Sequence, residues 1–67
     1  MDVAQVRQRV QAIADAAPDY EHQHGLEDSL YTDVLTVIRE QSTDPESRAL
    51  AGAALAARVI NFERHAA

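Results

Sequence analysis

Asp19-Tyr20-Glu21-His22-Gln23-His24-Gly25-Leu26-Glu27-Asp28-Ser29-Leu30-Tyr31 is the stretch on which the fold turns. Downstream of it, Leu26, Leu30, Val34, Val37 and Ile38 recur at helical spacing, and Tyr31 and Leu35 widen the stripe. Gly25 stands in the way of extending that helix upstream, because a glycine inside a helix costs about 1 kcal/mol relative to alanine. Three features favour an early start all the same. Pro18 is acceptable near a first turn, Asp19 and Glu21 suit the positive end of the helix dipole, and His22 is in register with Leu26. The periodicity therefore runs through the glycine and predicts one helix over 19–41.

Working outward, Val3, Val6, Val10, Ile13 and Ala17 form a stripe with spacings of three and four, while Gln5, Arg7, Gln8, Arg9 and Gln11 fill the other side. Asp2 and Gln5 have the spacing of a capping box, and Pro18 holds Ala17 out of α geometry, so a first helix is predicted over 2–16. Beyond Gln41, Thr43 and Glu46 repeat the capping-box spacing and Pro45 sits where its missing N–H is not needed. A third helix is predicted over 45–65, apolar on most of its girth. Leu50, Ala54, Ala57 and Asn61 lie on one stripe, and Ala51, Leu55, Val59 and Phe62 on another. No strand-like alternation appears. The expected class is all-α, a single three-helix domain over residues 1–67.

A domain of 67 residues buries only about 60% of the surface its unfolded chain exposes, so it needs support. There is no cysteine, hence no disulfide and no thiolate metal site, and self-association remains as the common route. The apolar share of 46% is rich in alanine, with one Phe, two Tyr and no Trp. Every cation is arginine, and the net charge of −5 disfavours direct binding to nucleic acid. No run approaches the roughly 18 apolar residues of a membrane span, and the first residues lack the pattern of a signal peptide. A cytoplasmic location is expected.

If 19–41 is continuous helix, Glu21, His24 and Asp28 share one stripe and form an ion-pair ladder. The sharper alternative is a divalent metal site on Glu21, His24 and Asp28, although a structural zinc site wants four ligands and a second subunit would have to complete this one. His22 shares the face of Leu26 and Leu30 and reads as a histidine at the core edge. Arg58 or Arg64 is positioned by sequence to pair with Glu27 or Asp28. Glu27 and Asp28 are adjacent and do not converge on one atom as an acid–base couple must. No nucleophile elbow or phosphate-cradling loop is present, so neither catalysis nor a cofactor is expected.

The run His24-Gly25-Leu26-Glu27-Asp28-Ser29-Leu30-Tyr31, with Val34, Leu35 and Ile38 and the later Ile60, Phe62 and Arg64, resembles a group of small uncharacterised helical proteins of actinobacteria and their bacteriophages. The shared pattern is His-x-x-Glu-Asp-x-Leu-Tyr followed by Ile-x-Phe-x-Arg. Where those proteins tend to carry an aromatic residue after the last arginine, this chain has His65. The resemblance implies provenance and no activity.

The sequence thus points to a small acidic helical protein that binds a protein partner or itself, as an accessory of a phage or mobile element. A homodimer is expected through Leu50, Ala51, Leu55, Val59 and Phe62, because one domain of three helices leaves one stripe of the third helix unmatched. Two alternatives stay open: the metal site, and an acidic regulator of nucleic-acid machinery using Asp15, Asp19, Glu21, Glu27, Asp28 and Asp33.

Overall fold

A computed structural model of the chain describes residues 1–62 of the 67. The helices are α1 (Val3–Asp15), α2 (Tyr20–Gln41) and α3 (Pro45–Leu55), and a 3-10 turn (Ala56–Val59) follows α3 directly. Among the described residues there is no strand, as the periodicity required. The chain divides into two compact units, 1–31 and 32–62, with the boundary inside α2.

In the first unit, α1 opens on the expected capping box. The Gln5 N–H donates to Asp2 Oδ1 at 2.8 Å and the Asp2 N–H donates to Gln5 Oε1 at 2.8 Å, which satisfies two amides at the helix start. The helix ends at Asp15 with Ala16 as its cap, where the Ala16 N–H reaches the Ala12 carbonyl at 3.1 Å. Ahead of α2, Asp19 accepts twice: its carboxylate from the His22 N–H at 3.1 Å and its carbonyl from the Gln23 N–H at 2.9 Å. Asp19 is therefore the residue that starts α2, and the helix does run through Gly25. Gln23 then reaches α1, its Nε2 donating to the Ile13 carbonyl at 2.8 Å.

The apolar stripe of α1 is used less fully than its spacing predicts. Val6, Arg9, Ile13 and Ala16 are half-buried, whereas Val3, Val10 and Ala17 are exposed and no α1 residue is fully buried. The covered face is turned by roughly a sixth of a turn from the one that valine spacing marks. His22 departs from expectation as well. It is exposed in the first turn of α2, with its backbone N–H tied to Asp19, and does not sit at a core edge.

In the second unit, Val34, Leu35, Val37 and Ile38 are half-buried on α2, and the Thr36 hydroxyl donates to the Thr32 carbonyl one turn back at 2.7 Å, so a polar side chain is accommodated there. The start of α3 differs by one residue from the capping-box spacing. Asp44, not Thr43, is the N-cap: it accepts from the Glu46 N–H at 3.2 Å and from the Ser47 hydroxyl at 2.7 Å. Pro45 at the first helical position forces its predecessor into extended geometry, and Asp44 at φ −89°, ψ 113° has the cap conformation as a result. Ser42 Oγ accepts from the Asp44 N–H at 3.1 Å and closes the turn. Across the turn, Arg48 Nε donates to the Arg39 carbonyl at 3.1 Å, tying α3 to the last turn of α2.

The buried apolar side chains among the described residues are Leu30, Ala51 and Leu55. The third helix is shorter than predicted. The α-helix stops at Leu55, tightens to 3-10 geometry through Val59, and is extended at Ile60 (φ −74°, ψ 126°). From Ala56 to Phe62 no side chain is buried, so the segment lacks the packing that stabilises a short helix, and Val59, Ile60 and Asn61 have low helix propensity of their own. The remainder of the predicted helix, residues 63–65, lies outside the described residues.

Candidate functional site

The two places singled out from sequence lie on different units, the histidine and carboxylate front of α2 on the first and the apolar third helix on the second. On α2, Glu21 and His24 are exposed and Asp28 is half-buried. His24 makes no ion pair or hydrogen bond with either carboxylate among the described residues, so the ladder is not formed. Exposed side chains on one stripe gain little from pairing in water, and helical spacing alone does not bring their tips together. Nor does any group of three or more His, Asp or Glu among the described residues converge where an ion could be held. The Glu21, His24 and Asp28 metal set is therefore not assembled among these residues. His24 instead rims a hollow of about 290 Å³ with Ile13, Gln23 and Glu27. Glu27 accepts from the Tyr31 hydroxyl at 3.4 Å. Asp15 is held by Gln11 Nε2 at 2.9 Å, which occupies a second member of the acidic set.

Of the residues expected at an interface, two lie in the core and three on the surface. Ala51 and Leu55 are each less than a tenth exposed, whereas Leu50 is 64%, Val59 85% and Phe62 55% exposed, and Ile60 joins them at 58%. The stripe of Ala51, Leu55, Val59 and Phe62 is thus split by the end of the helix. Ala51 and Leu55 face inward on α3, and the shift to 3-10 and then extended backbone re-aims the side chains beyond Leu55. Leu50 also borders a shallow hollow of about 280 Å³ with Leu35, Ile38, Ser47 and Ala51, so an aliphatic side chain arriving there would meet other aliphatic groups. Among the small residues, Ala51 is the one that is buried; Ala49, Ala53 and Ala57 are exposed. A Cβ added at Gly52 would meet Arg39 Cδ at 3.6 Å, so the stem of that arginine lies along the glycine.

Arg39 and Arg48 together form a feature that sequence reading missed. With Pro45, Ala49 and Gly52 they line a hollow of about 430 Å³. Their separation of nine residues across a turn gives no periodic signal, and only the Arg48 bond to the Arg39 carbonyl brings them side by side. Arg39 Nη2 lies 3.3 Å from Glu40 Oε1, both side chains about half exposed. Arg58 makes no ion pair among the described residues, and the expected partner role of Arg64 lies outside them.

No family model, curated protein or solved structure matches the chain. Its own chemistry is therefore the ground for a functional reading. Asp44 is the one residue among those described whose carboxyl is displaced in a defined direction: donation from the Ser47 hydroxyl first, then from backbone amides at the helix start, holds its pKa below the ordinary 3.8. That is the signature of a cap, and it serves the fold rather than a reaction. No helix among the described residues is long and apolar enough to cross a membrane.

Proposed function

We propose that this chain is a non-catalytic interaction protein that binds another protein or a second copy of itself through the surface carried by residues 50–62. The single observation behind this reading is the density of large exposed apolar side chains there, Leu50, Val59, Ile60 and Phe62 within thirteen positions. Scattered apolar residues are ordinary on any surface, but four so close in sequence, with Leu50 bordering an aliphatic hollow, favour contact with another macromolecule. Few fully buried side chains and no cysteine mean that an isolated chain of this size has little else to stabilise it. Association in a homodimer would add apolar burial at about 25 cal/mol per Å² before the costs of association. The resemblance to small actinobacterial and phage proteins bears on provenance and is the ground for linking the chain to a phage or mobile element.

The test is sedimentation of the unmodified chain and of a Leu50→Glu, Val59→Glu double variant over micromolar to millimolar concentration. Both positions are exposed, so the variant should fold with its stability changed by no more than about 0.5 kcal/mol per site. Loss of association in the variant supports the reading. Identical behaviour of a self-associating parent and the variant refutes it.

A further inference from the structure

The hollow lined by Arg39 and Arg48 carries two cationic groups, and the arrangement of charge along the chain supplies their complement. No Lys or Arg occurs between Arg9 and Arg39, a stretch that holds Asp15, Asp19, Glu21, Glu27, Asp28 and Asp33. From Arg39 onward four arginines stand against four carboxylates. The acidic excess of the protein is therefore concentrated ahead of the hollow in sequence, on residues that include the stripe of Glu21 and Asp28.

Arg48 is fixed in place by its Nε, which donates to the Arg39 carbonyl, and its terminal nitrogens have no partner among the described residues. Arg39 is braced along Gly52, with a single long contact to its sequence neighbour Glu40. Two guanidinium groups held over one concavity present several N–H donors, a chemistry matched to carboxylate oxygens. On the acidic side, Asp15, Asp19 and Glu27 already accept hydrogen bonds within the chain, whereas Glu21 and Asp28 accept none among the described residues. These two are seven residues apart, two turns of one helix, and lie on the same stripe.

We propose that the Arg39–Arg48 hollow receives the Glu21 and Asp28 carboxylates of a second copy of this chain. The occupant is a second copy because the complement of the hollow, two carboxylates without a partner among the described residues, is present in the same sequence. The proposal rests on the self-association reading above and adds to it the charged side chains that pair.

A charge swap on the full chain tests it. Arg39→Glu with Arg48→Glu, and separately Glu21→Arg with Asp28→Arg, should each weaken self-association by at least about tenfold, because like charges then oppose one another. Mixing the two variants should restore association as a heterodimer. Raising sodium chloride from about 0.1 M to about 1 M shortens the screening length from about 10 Å to about 3 Å and should loosen the parent, a response that apolar contact alone would not give. Circular dichroism of each variant confirms that helix is retained, and Arg39→Gln with Arg48→Gln provides the gentler change. If the swapped variants associate like the parent, or if mixing fails to restore what each has lost, the pairing is wrong. If the parent associates, is loosened by salt, and is unaffected by Leu50→Glu with Val59→Glu, then the apolar reading fails while the charge pairing stands. A parent that is monomeric at every concentration overturns this pairing outright.

Discussion

Gln23 Nε2 donates to the Ile13 carbonyl across 2.8 Å, a bond from α2 to the last turn of α1. The carbonyl is one of those that a helix end leaves without an intrahelical amide, and its other contact, from the Ala16 N–H, is long at 3.3 Å. Since α1 contributes no fully buried residue, this bond is a large part of what docks it within the first unit. Gln23→Ala is expected to destabilise the protein by about 1 kcal/mol, and Gln23→Glu by more, since an acceptor would then face an acceptor. Thermal unfolding followed by circular dichroism checks both.

Gly25 is helical, its φ is not positive, and a Cβ built on it would meet nothing within 4 Å. Gly25→Ala should therefore stabilise α2 by about 0.5 to 1 kcal/mol, a rise in melting temperature of about 2 to 8 °C for a domain of this size. Gly52→Ala should stabilise as well, its Cβ meeting the Arg39 stem at ordinary contact distance. A fall in melting temperature for Gly25→Ala would show that the helix is not continuous there in solution.

How much of the fold is legible in the sequence depends on the range of the interaction concerned. Capping and periodicity are local, so the starts of α1 and α2 can be read from Asp2, Gln5 and Asp19, and the inward side of α2 from Leu26 and Leu30. Apolar periodicity beyond Leu55 misleads, because the stripe continues in the sequence while burial, which decides the matter for a short helix, is absent. Spacing alone favours Thr43 over Asp44 as the cap, and the constraint that proline places on its predecessor settles it the other way. Shared helical register likewise groups Glu21, His24 and Asp28, but side-chain tips in water need more than register to meet. The Arg39 and Arg48 pair has no local signature at all.

Asp44 gives a pH dependence with a definite sign. Its carboxyl is held below the ordinary 3.8 in the folded chain by donation from the Ser47 hydroxyl and the amides of Glu46 and Ser47. The unfolded chain therefore takes up the proton more readily, and the contribution to stability is complete above the unfolded value and lost as pH falls through the lower folded one. Asp44→Asn keeps an acceptor for the helix amides but removes the charge. The difference in melting temperature between parent and Asp44→Asn should shrink as pH is lowered from about 6 through about 3, near the ordinary carboxylate range. A difference that is constant across that interval would exclude the cap as its source.

Leu55 and Val59 separate core from surface on one short segment. They are four residues apart and would share a face if α3 continued, yet Leu55 is buried and Val59 is 85% exposed. Leu55→Ala removes packed methyl groups from one of the few buried positions and should cost about 2 to 5 kcal/mol. For a chain of 67 residues that approaches the whole stability, so the variant should be largely unfolded or melt with little cooperativity at room temperature. Val59→Ala should change stability by less than about 0.5 kcal/mol in a dilute sample, because its side chain is already in water. If copies associate through this surface as proposed, Val59→Ala should lower the melting temperature relative to the parent at high concentration, since a contact made only in the complex stabilises by mass action. Unfolding midpoints measured at two protein concentrations distinguish these outcomes, and equal destabilisation by Val59→Ala at both would mean that Val59 packs within its own chain.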